Sequence, residues 1–563
     1  MKRVFALFLA VALCAMTVAS VLVFGQQGRA PLAGPSAGRF SDQTQAAAHA
    51  NRPEYAEGRY FVSFKNGVTA ANRAMVKSHG ATVHFEFPDQ RFIAIELHNP
   101  NQLAAIQNNP NVEYVEQEPM RYALSELSDL STAELTPTAT NGLYGLVTTK
   151  STNAHSRGYT GASFKVGIAD TGLDYTHPDI AANYVAGYDT FEKDGNPWWN
   201  NDPLESHGTH VAGTVLGIRG NSQGVYGVAY NARLYHARVL RGDAASGTAT
   251  GSSSGIMAGV KWLVSDASGP QVNLVNMSLG GSGGSLSEQR FYNDCRNKYG
   301  AIIVAATGND GFTNQISYPA AYTINIAVGA VDQNNVIASF SNRGTTAIDL
   351  VGPGVNVLSS VPLGQGSDSS VTTSSTFKSY GMEFAGRTNG TTGTLVNCGQ
   401  GQVGEFPASV AGNIALIQRG TISFADKVLN AMNAGATAAI IYNNAAGDFG
   451  GTLGTATTAD GRAWIPAVSV SDTVGATLAG QAGTSATVVN RAVNWDYNSG
   501  TSMATPHVTG VTAVLWAANP TYTPAAIEDA LKKSATDLGA AGYDTTFGYG
   551  LANADAALAR TGK

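Results

Sequence analysis

The feature that most constrains the fold is a series of short, almost continuously apolar segments separated by stretches with helical spacing. Four such segments are predicted as buried strands, at residues 165–169, 272–277, 301–305 and 324–331. Strands that are apolar on both sides are typical of a parallel sheet covered by helices on both faces. We therefore predict an α/β fold, with functional side chains at the carboxyl ends of the strands.

A second feature is the order in which three reactive side chains occur. Asp170 ends the first predicted strand, His207 lies in the segment SHGTHVAGT, and Ser502 lies in NSGTSMATPH before an apolar helical run. A serine hydroxyl needs a base to take its proton, and an imidazole held by a carboxylate provides one near neutral pH. The order Asp–His–Ser distinguishes this arrangement from other serine-nucleophile folds that use the same groups.

Each of these residues also has a simpler interpretation when it is taken alone. Ser502 has the setting of a helix N-cap and Asp170 that of a turn residue. His207 and His210 have the spacing of a metal-binding pair, but the sequence offers no third ligand nearby. The three motifs together favour a hydrolytic site.

The motifs together resemble those of the subtilisin-like (subtilase) peptidase family. The resemblance implies a triad of Asp170, His207 and Ser502, and it implies that Asn309, in AATGN, donates to the oxyanion. It also implies a substrate-binding strand that pairs with the peptide backbone, and small pocket walls that favour an apolar side chain, although Asp310 at the rim allows a basic one. The residues implied are Ser278, Leu279, Gly280, Ala305, Ala306 and Gly308.

The family resemblance also suggests a structural calcium ion, whereas no cofactor is expected for the chemistry itself. Asp179 matches a carboxylate that binds calcium in many relatives, and the loop containing Asn221 matches the rest of that site. Calcium binds six to eight oxygens, several of which such a loop can supply. Asp179 as an ordinary helix-start residue is the alternative.

The N-terminus indicates export. Lys2 and Arg3 precede an apolar run that ends near Phe24, which predicts a signal peptide over residues 1–30. An uncleaved membrane anchor is the alternative, because the run is long. We expect a secreted, extracellular protein with no membrane association after cleavage. The net charge of −6 on 563 residues argues against nucleic acid as a partner.

The length predicts several domains. Two further resemblances define them, one to the inhibitor-like propeptide of the subtilase family and one to the protease-associated (PA) domain. A small adaptor domain is the alternative for the first, and the second is either a structural lid or a substrate-recruiting surface. The predicted layout is a signal peptide at 1–30, a linker at 31–57, the propeptide at 58–121, a cleavable connector at 122–140, and a catalytic domain at 141–361 and 494–563 that is split by a β-rich PA insertion at 362–493.

The resulting hypothesis is a secreted serine endopeptidase that acts on protein or peptide substrates. Its own propeptide would inhibit it until self-cleavage between about Met120 and Ala139. Two rivals are an inactive scaffold that displays the PA domain and an ester hydrolase, which the order Asp–His–Ser disfavours. Cys295 and Cys398 are predicted to be independent buried thiols, although their spacing also allows a bridge between them.

Overall fold

The structure is a computed structural model that describes residues 52–124, 143–243 and 245–563, with the backbone alone of 126–127. The predicted signal peptide and Cys14 lie outside the described residues, as do most of the predicted linker and connector. Within the described ranges of the chain, no helix combines the length and the apolar content that crossing a bilayer requires.

The N-terminal unit is an antiparallel sheet in the order β2-β3-β1-β4, with two helices. Its apolar residues form a cluster of their own, which includes Val62, Ile95 and Ile106. Strand β2 was not predicted, although its sequence ATVHFEF alternates as a half-buried strand does. The elements are β1 (Tyr55–Phe64), α1 (Ala70–Ser78), β2 (Ala81–Phe87), β3 (Phe92–Leu97), α2 (Leu103–Gln107), β4 (Val112–Ala123) and β5 (Glu126–Leu127).

The central region of the chain confirms the predicted α/β architecture. Its elements are α3 (Tyr144–Thr148), α4 (Ser151–Ser156), β6 (Lys165–Asp170), β7 (Tyr184–Asp189), α5 (His207–Leu216), β8 (Arg233–Arg238), β9 (Arg241–Asp243), β10 (Thr248–Ser252), α6 (Ser253–Val264), β11 (Leu274–Met277), β12 (Leu279–Gly280), α7 (Leu286–Asn297), β13 (Ile302–Ala306), β14 (Ile326–Val331), β15 (Leu350–Pro353) and β16 (Val357–Ser360).

Seven of these strands form one sheet, in the order β15-β14-β13-β11-β6-β8-β7, and every neighbouring pair is parallel. The C-terminal region of the chain adds β25 (Trp495–Ser499), α10 (Thr501–Ala518), α11 (Pro524–Ser534) and α12 (Ala554–Arg560). One apolar cluster packs α5 and α10 on one face of the sheet, and another packs α6 and α7 on the opposite face. Burial on both faces explains why these strands lack polar alternation.

Residues 366–493 form a second, mixed sheet of eight strands, in the order β18-β17-β24-β20-β21-β22-β23-β19. Ser423 Oγ accepts from the Asp426 backbone N–H at 3.0 Å, so it caps α8 as its sequence predicts. The elements are β17 (Gly366–Thr372), β18 (Thr376–Lys378), β19 (Tyr380–Gly381), β20 (Thr388–Asn397), β21 (Ile414–Gln418), α8 (Phe424–Asn433), β22 (Ala438–Tyr442), β23 (Ala467–Val470), α9 (Asp472–Gly480) and β24 (Ser485–Val493).

Strand β4 joins the N-terminal unit to the central region of the molecule. Its first half pairs with β1, and its second half pairs antiparallel with both β10 and β12. Further along the chain, β5 pairs antiparallel with β25. Because β1 begins at Tyr55 and β4 ends at Ala123, the N-terminal unit is wider at both ends than the predicted range 58–121.

Candidate active site

His207 and Asp170 come together where β6 ends and α5 begins. His207 Nδ1 lies 2.7 Å from Asp170 Oδ1, and that carboxylate oxygen also accepts from the Thr171 backbone N–H at 2.7 Å. A Cβ atom at Gly208 would lie 2.8 Å from the Thr171 carbonyl oxygen, so only glycine lets α5 start this close to β6. The imidazole is therefore held through one nitrogen, as a general base requires.

Ser502 lies in the first turn of α10, but its hydroxyl is not directed as the sequence predicted. Ser502 Oγ donates to the Ser278 carbonyl oxygen at 2.9 Å. Among the described residues, His207 Nε2 has no hydrogen-bond partner. The Ser278 carbonyl oxygen satisfies the buried hydroxyl as a hydrogen-bond acceptor. Rotation about the Ser502 Cα–Cβ bond changes the direction of the hydroxyl, and a hydrogen bond between a serine nucleophile and its base often forms only when substrate binds.

The Asn309 side chain is oriented by Thr501. Asn309 Oδ1 accepts from the Thr501 backbone N–H at 2.9 Å and from Thr501 Oγ1 at 2.7 Å. This fixes the amide with its N–H₂ group turned the other way, and Nδ2 is buried without a hydrogen-bond partner among the described residues. An unpaired buried donor beside the start of α10 suits an oxygen that gains negative charge.

Sequence reasoning named Ser278 as a substrate-binding residue but missed its contact with Ser502, and it missed Asn276 and Thr509 altogether. Ser278 Oγ donates to the Ser502 carbonyl oxygen at 2.8 Å and accepts from Asn276 Nδ2 at 2.9 Å. Thr509 Oγ1, two turns along α10, donates to Asn276 Oδ1 at 2.8 Å. These buried polar residues link β11 to α10. A polar residue inside an otherwise apolar segment is the sequence signal that could have identified them, because a buried polar group needs a hydrogen-bond partner.

The N-terminal unit covers this site. Ser502 and Asp170 are 0% exposed, His207 4% and Asn309 5%. Ala123 pairs with Leu279 on one side, and the backbone of Glu126 pairs with Ser499 on the other. The chain therefore reaches both flanks of Ser502, as a bound peptide would.

Five of the predicted pocket residues lie on β12, on β13 or just after β13. Leu279 and Gly280 pair with β4, and a Cβ atom added to Gly280 would lie 2.9 Å from Leu124 Cδ1. Gly308 lies close to Ser317 and donates its N–H to Thr501 Oγ1 at 3.2 Å. Ala305 and Ala306 are fully buried in β13. The buried Leu124 side chain thus lies against Gly280, one of the predicted pocket residues.

The other histidines of the two motifs face backbone oxygens. His210 Nε2 lies 3.0 Å from the Val357 carbonyl oxygen, and His507 Nδ1 lies 2.8 Å from the Met503 carbonyl oxygen. Burial lowers the pKa of His210 to about 3 and that of His507 to about 4, so both rings are neutral near pH 7. Within the described ranges, no three His, Cys, Asp or Glu side chains are grouped to hold a metal ion.

The donors around Asp179 do not fit the predicted calcium ion. Its Oδ1 accepts from Asn221 Nδ2 at 2.6 Å, and its Oδ2 accepts from Trp495 Nε1 at 2.6 Å and from the Val225 backbone N–H at 3.0 Å. Calcium needs oxygens, whereas Asn221 and Trp495 present N–H groups to this carboxylate. Asp179 is instead a buried carboxylate that joins β25 to the loop containing Asn221.

The two cysteines among the described residues are confirmed as free and buried. Cys295 packs in the cluster under α7, while Cys398 packs in the core of the second sheet. Burial raises the pKa of the Cys398 thiol to about 12 and also raises that of the Cys295 thiol. Neither thiol is a candidate nucleophile.

Three regions of the chain match models of known families. Residues 161–393 match the subtilase family, residues 391–478 the PA domain, and residues 41–118 the fervidolysin N-terminal prodomain. Subtilisin E of Bacillus subtilis (strain 168) is 34% identical over 315 residues, which cover 55% of this chain and 74% of that protein. M-protease of Shouchella clausii (strain KSM-K16) is 38% identical over 281 residues, covering 49% of this chain and 64% of the relative.

Two solved structures are similar to this one. The subtilisin-like protease Apa1 from Pseudoalteromonas sp. AS-11 is 30% identical, with a TM-score of 0.50 over 74% of this chain and 97% of that one. Fervidolysin from Fervidobacterium pennivorans has a TM-score of 0.57 at 22% identity, over 90% of this chain and 61% of that one. The second likeness supports the fold alone.

Proposed function

Since the chain belongs to the subtilase family and is a serine-type endopeptidase, we propose that Ser502 is its nucleophile and His207 its general base. The observation that carries this proposal is a pair of unpartnered buried groups, Asn309 Nδ2 and His207 Nε2. Asn309 is held by Thr501, the residue before Ser502, and His207 begins α5, which packs in the same apolar cluster as α10. His207 Nε2 is an acceptor for the hydroxyl proton and Asn309 Nδ2 a donor for the oxyanion.

The proposed reaction follows from these positions. Ser502 Oγ turns from the Ser278 carbonyl to His207 Nε2, gives up its proton and attacks the peptide carbonyl carbon. Asp170 stabilises the imidazolium through His207 Nδ1, and Asn309 Nδ2 donates to the carbonyl oxygen as it becomes negative. The imidazolium then gives its proton to the leaving amine, and water hydrolyses the acyl-enzyme by the same route in reverse.

We propose that the N-terminal unit is an inhibitory propeptide, and that self-cleavage occurs on the C-terminal side of Leu124. Support comes from the register of β4, in which Tyr122 pairs with Gly280 and Ala123 with Leu279, followed by Leu124 against Gly280. The unit also caps two helices of the catalytic domain: Glu116 accepts from the Leu286 and Ser287 N–H groups of α7 at 3.0 and 2.8 Å, and Glu118 accepts from the Ser254 N–H of α6 at 2.8 Å.

The test compares the wild-type chain with Ser502→Ala. We expect the wild type to react with a fluorophosphonate and to mature, whereas Ser502→Ala is not labelled and keeps its propeptide covalently attached. Ser499→Ala is the matched control, because Ser499 precedes α10 and donates elsewhere, and it should still be labelled. Maturation of purified Ser502→Ala would contradict self-processing, and unlabelled wild type would favour an inactive scaffold.

Turnover of peptide against ester substrates by the unlabelled wild-type enzyme separates a peptidase from an ester hydrolase. Mass spectrometry of the matured protein should find an N-terminus that follows Leu124.

We propose in addition that residues 1–30 direct secretion, which predicts their absence from the extracellular form. Retention of the full leader in that form would favour the membrane anchor.

A further inference from the structure

The propeptide strand β4 buries an arginine against a carboxylate of the catalytic domain. Arg121 and Glu288 are each 1% exposed, and Arg121 Nη2 donates to Glu288 Oε2. Arg121 Nη1 donates to the carbonyl oxygen of the preceding residue at 2.8 Å, while Nε has no partner among the described residues. A charged pair is thus placed in an interface that separates if the propeptide is released.

Glu288 is held in place by the catalytic domain itself. Ser253 Oγ donates to Glu288 Oε1 at 2.5 Å, and Tyr322 OH donates to Glu288 Oε2 at 2.8 Å. Tyr322 is fixed in turn by the Ser285 backbone N–H, which donates to its hydroxyl oxygen at 2.7 Å. Burial and the neighbouring carboxylate raise the pKa of Tyr322, so its phenol stays a neutral donor. The carboxylate therefore keeps its orientation without the propeptide.

The register of β4 relates Arg121 to the proposed cleavage site. Arg121 lies opposite Gly251 in β10, and Leu124 lies against Gly280 in β12. If cleavage follows Leu124, Arg121 is the fourth residue on its N-terminal side. A substrate that replaces β4 as an added strand between β10 and β12 brings its own fourth residue to Glu288.

Charge decides what this position accepts. Among the described residues, Arg121 is the only cation that forms an ion pair with Glu288. Release of β4 removes the counter-ion of Glu288 and leaves its carboxylate with two neutral hydrogen bonds, from Ser253 and Tyr322. A guanidinium from a substrate restores the pair, and its planar N–H groups match a carboxylate better than an ammonium does.

We propose that Glu288, together with Ser253 and Tyr322, forms a pocket for an arginine side chain four residues N-terminal to the cleaved bond. This inference rests on the proposed function, because it takes β4 as a substrate-like occupant of the cleft. It makes arginine at that position a specificity determinant, with an apolar residue at the position of Leu124.

The test uses the matured enzyme and fluorogenic peptides with the sequence of residues 120–127. The peptides carry Arg, Lys, citrulline or Leu at the position of Arg121. Hydrogen bonds to charged groups are worth roughly 10- to 100-fold, so we expect kcat/KM for Arg to exceed that for the isosteric but neutral citrulline by at least about tenfold. Lys should fall between the two.

In Glu288→Gln, kcat/KM for the Arg peptide should fall by at least about tenfold, so that the preference for Arg over citrulline is lost. Asp294→Asn is the matched control: it removes the same charge from α7, but Asp294 contacts Gln90 rather than β4, so the preference should remain. Equal rates for Arg and citrulline with the wild type, or an unchanged preference in Glu288→Gln, would overturn the pocket while Ser502-dependent cleavage persists. Absence of any Ser502-dependent cleavage would instead overturn the proposed function.

Should Glu288→Gln fail to mature, the Arg121→Leu/Glu288→Leu double variant provides the protein for the same peptides. It removes both charges together, so we expect it to mature and to prefer Leu over Arg. A preference for Arg in this double variant would contradict the pocket.

Discussion

Two buried arginines in this molecule form carboxylate pairs of different completeness. Arg238 in β8 donates through Nε and Nη2 to the two oxygens of Glu205, at 2.7 and 2.6 Å, and through Nη1 to Asp189 at 2.6 Å. Arg121 makes one bond to Glu288, and its Nε is unpaired among the described residues. The first pair lies within the catalytic domain, and the second joins that domain to the N-terminal unit.

The difference shows that a buried ion pair can either stabilise one domain permanently or join two parts of the chain that later separate. Glu205 lies two residues before His207, and its carbonyl oxygen accepts from Thr171 Oγ1 at 2.8 Å, so the complete pair helps to fix the segment that carries His207, the proposed base. Glu288 retains Ser253 and Tyr322 when Arg121 leaves. Because the Ser253 and Tyr322 hydroxyls already donate to the Glu288 carboxylate, they reduce the free-energy cost of removing its counter-ion. This makes it feasible for the N-terminal unit to separate from the catalytic domain.

Breaking the complete pair should have the largest effect. Arg238→Leu leaves Glu205 and Asp189 buried without their cation, and we expect the free energy of unfolding to fall by about 3–5 kcal/mol. The measurement is denaturant unfolding in a Ser502→Ala background, which prevents self-digestion. A loss below about 1 kcal/mol would mean that the complete pair is no more important than a surface ion pair.

Breaking the incomplete pair should cost less. Arg121→Leu in the same background removes one charge-assisted bond, and water can reach Glu288 once the interface opens, so we expect a loss of about 1–3 kcal/mol. The readout is the same unfolding transition, with Arg73→Leu as a control, because Arg73 pairs with Glu86 at the partly exposed surface of the N-terminal unit. A loss equal to that of Arg238→Leu would remove the distinction between the two pairs.

Acid should destabilise the catalytic domain through two buried histidines. Below pH 6.5 the unfolded chain protonates His210 and His507, whereas the folded chain does not until about pH 3 and 4. The contribution of these two histidines to stability is therefore complete above about pH 6.5 and falls with decreasing pH, by up to about 1.4 kcal/mol per pH unit for each histidine. Unfolding followed from pH 7 to 4.5 should show a smaller slope in His507→Gln, and an unchanged slope would contradict this assignment.

The smallest effect concerns another buried carboxylate, that of Asp179, which has hydrogen bonds from neutral donors. Asn221→Ala removes one donor to Asp179, and we expect a loss of about 1 kcal/mol. Because the donors do not fit calcium, the loss should be the same with added calcium and with a chelator. A loss that appears only in calcium would restore the metal site that the sequence predicted.

The helices and strands that carry the site could be predicted where a local pattern, such as an apolar run or a helix cap, determines the element. Strand β6 and helix α10 follow from apolar runs with small polar flanks, and α8 begins directly after its Ser423 cap. Local patterns could not establish the predicted calcium site, because a sequence match to a loop does not say which atom of Asn221 faces Asp179. Hydrogen-bond direction depends on neighbours that are distant in sequence.

By itself, the sequence determined the layer architecture, the candidate reactive residues and their order along the chain, because periodicity and residue chemistry are local properties. Only the tertiary structure decided the rotamer of Ser502, the partner of Asn309 and the meeting of Arg121 with Glu288. Those contacts join residues 167 to 224 positions apart, and no local pattern encodes them, since they follow from how separate strands and helices pack against one another.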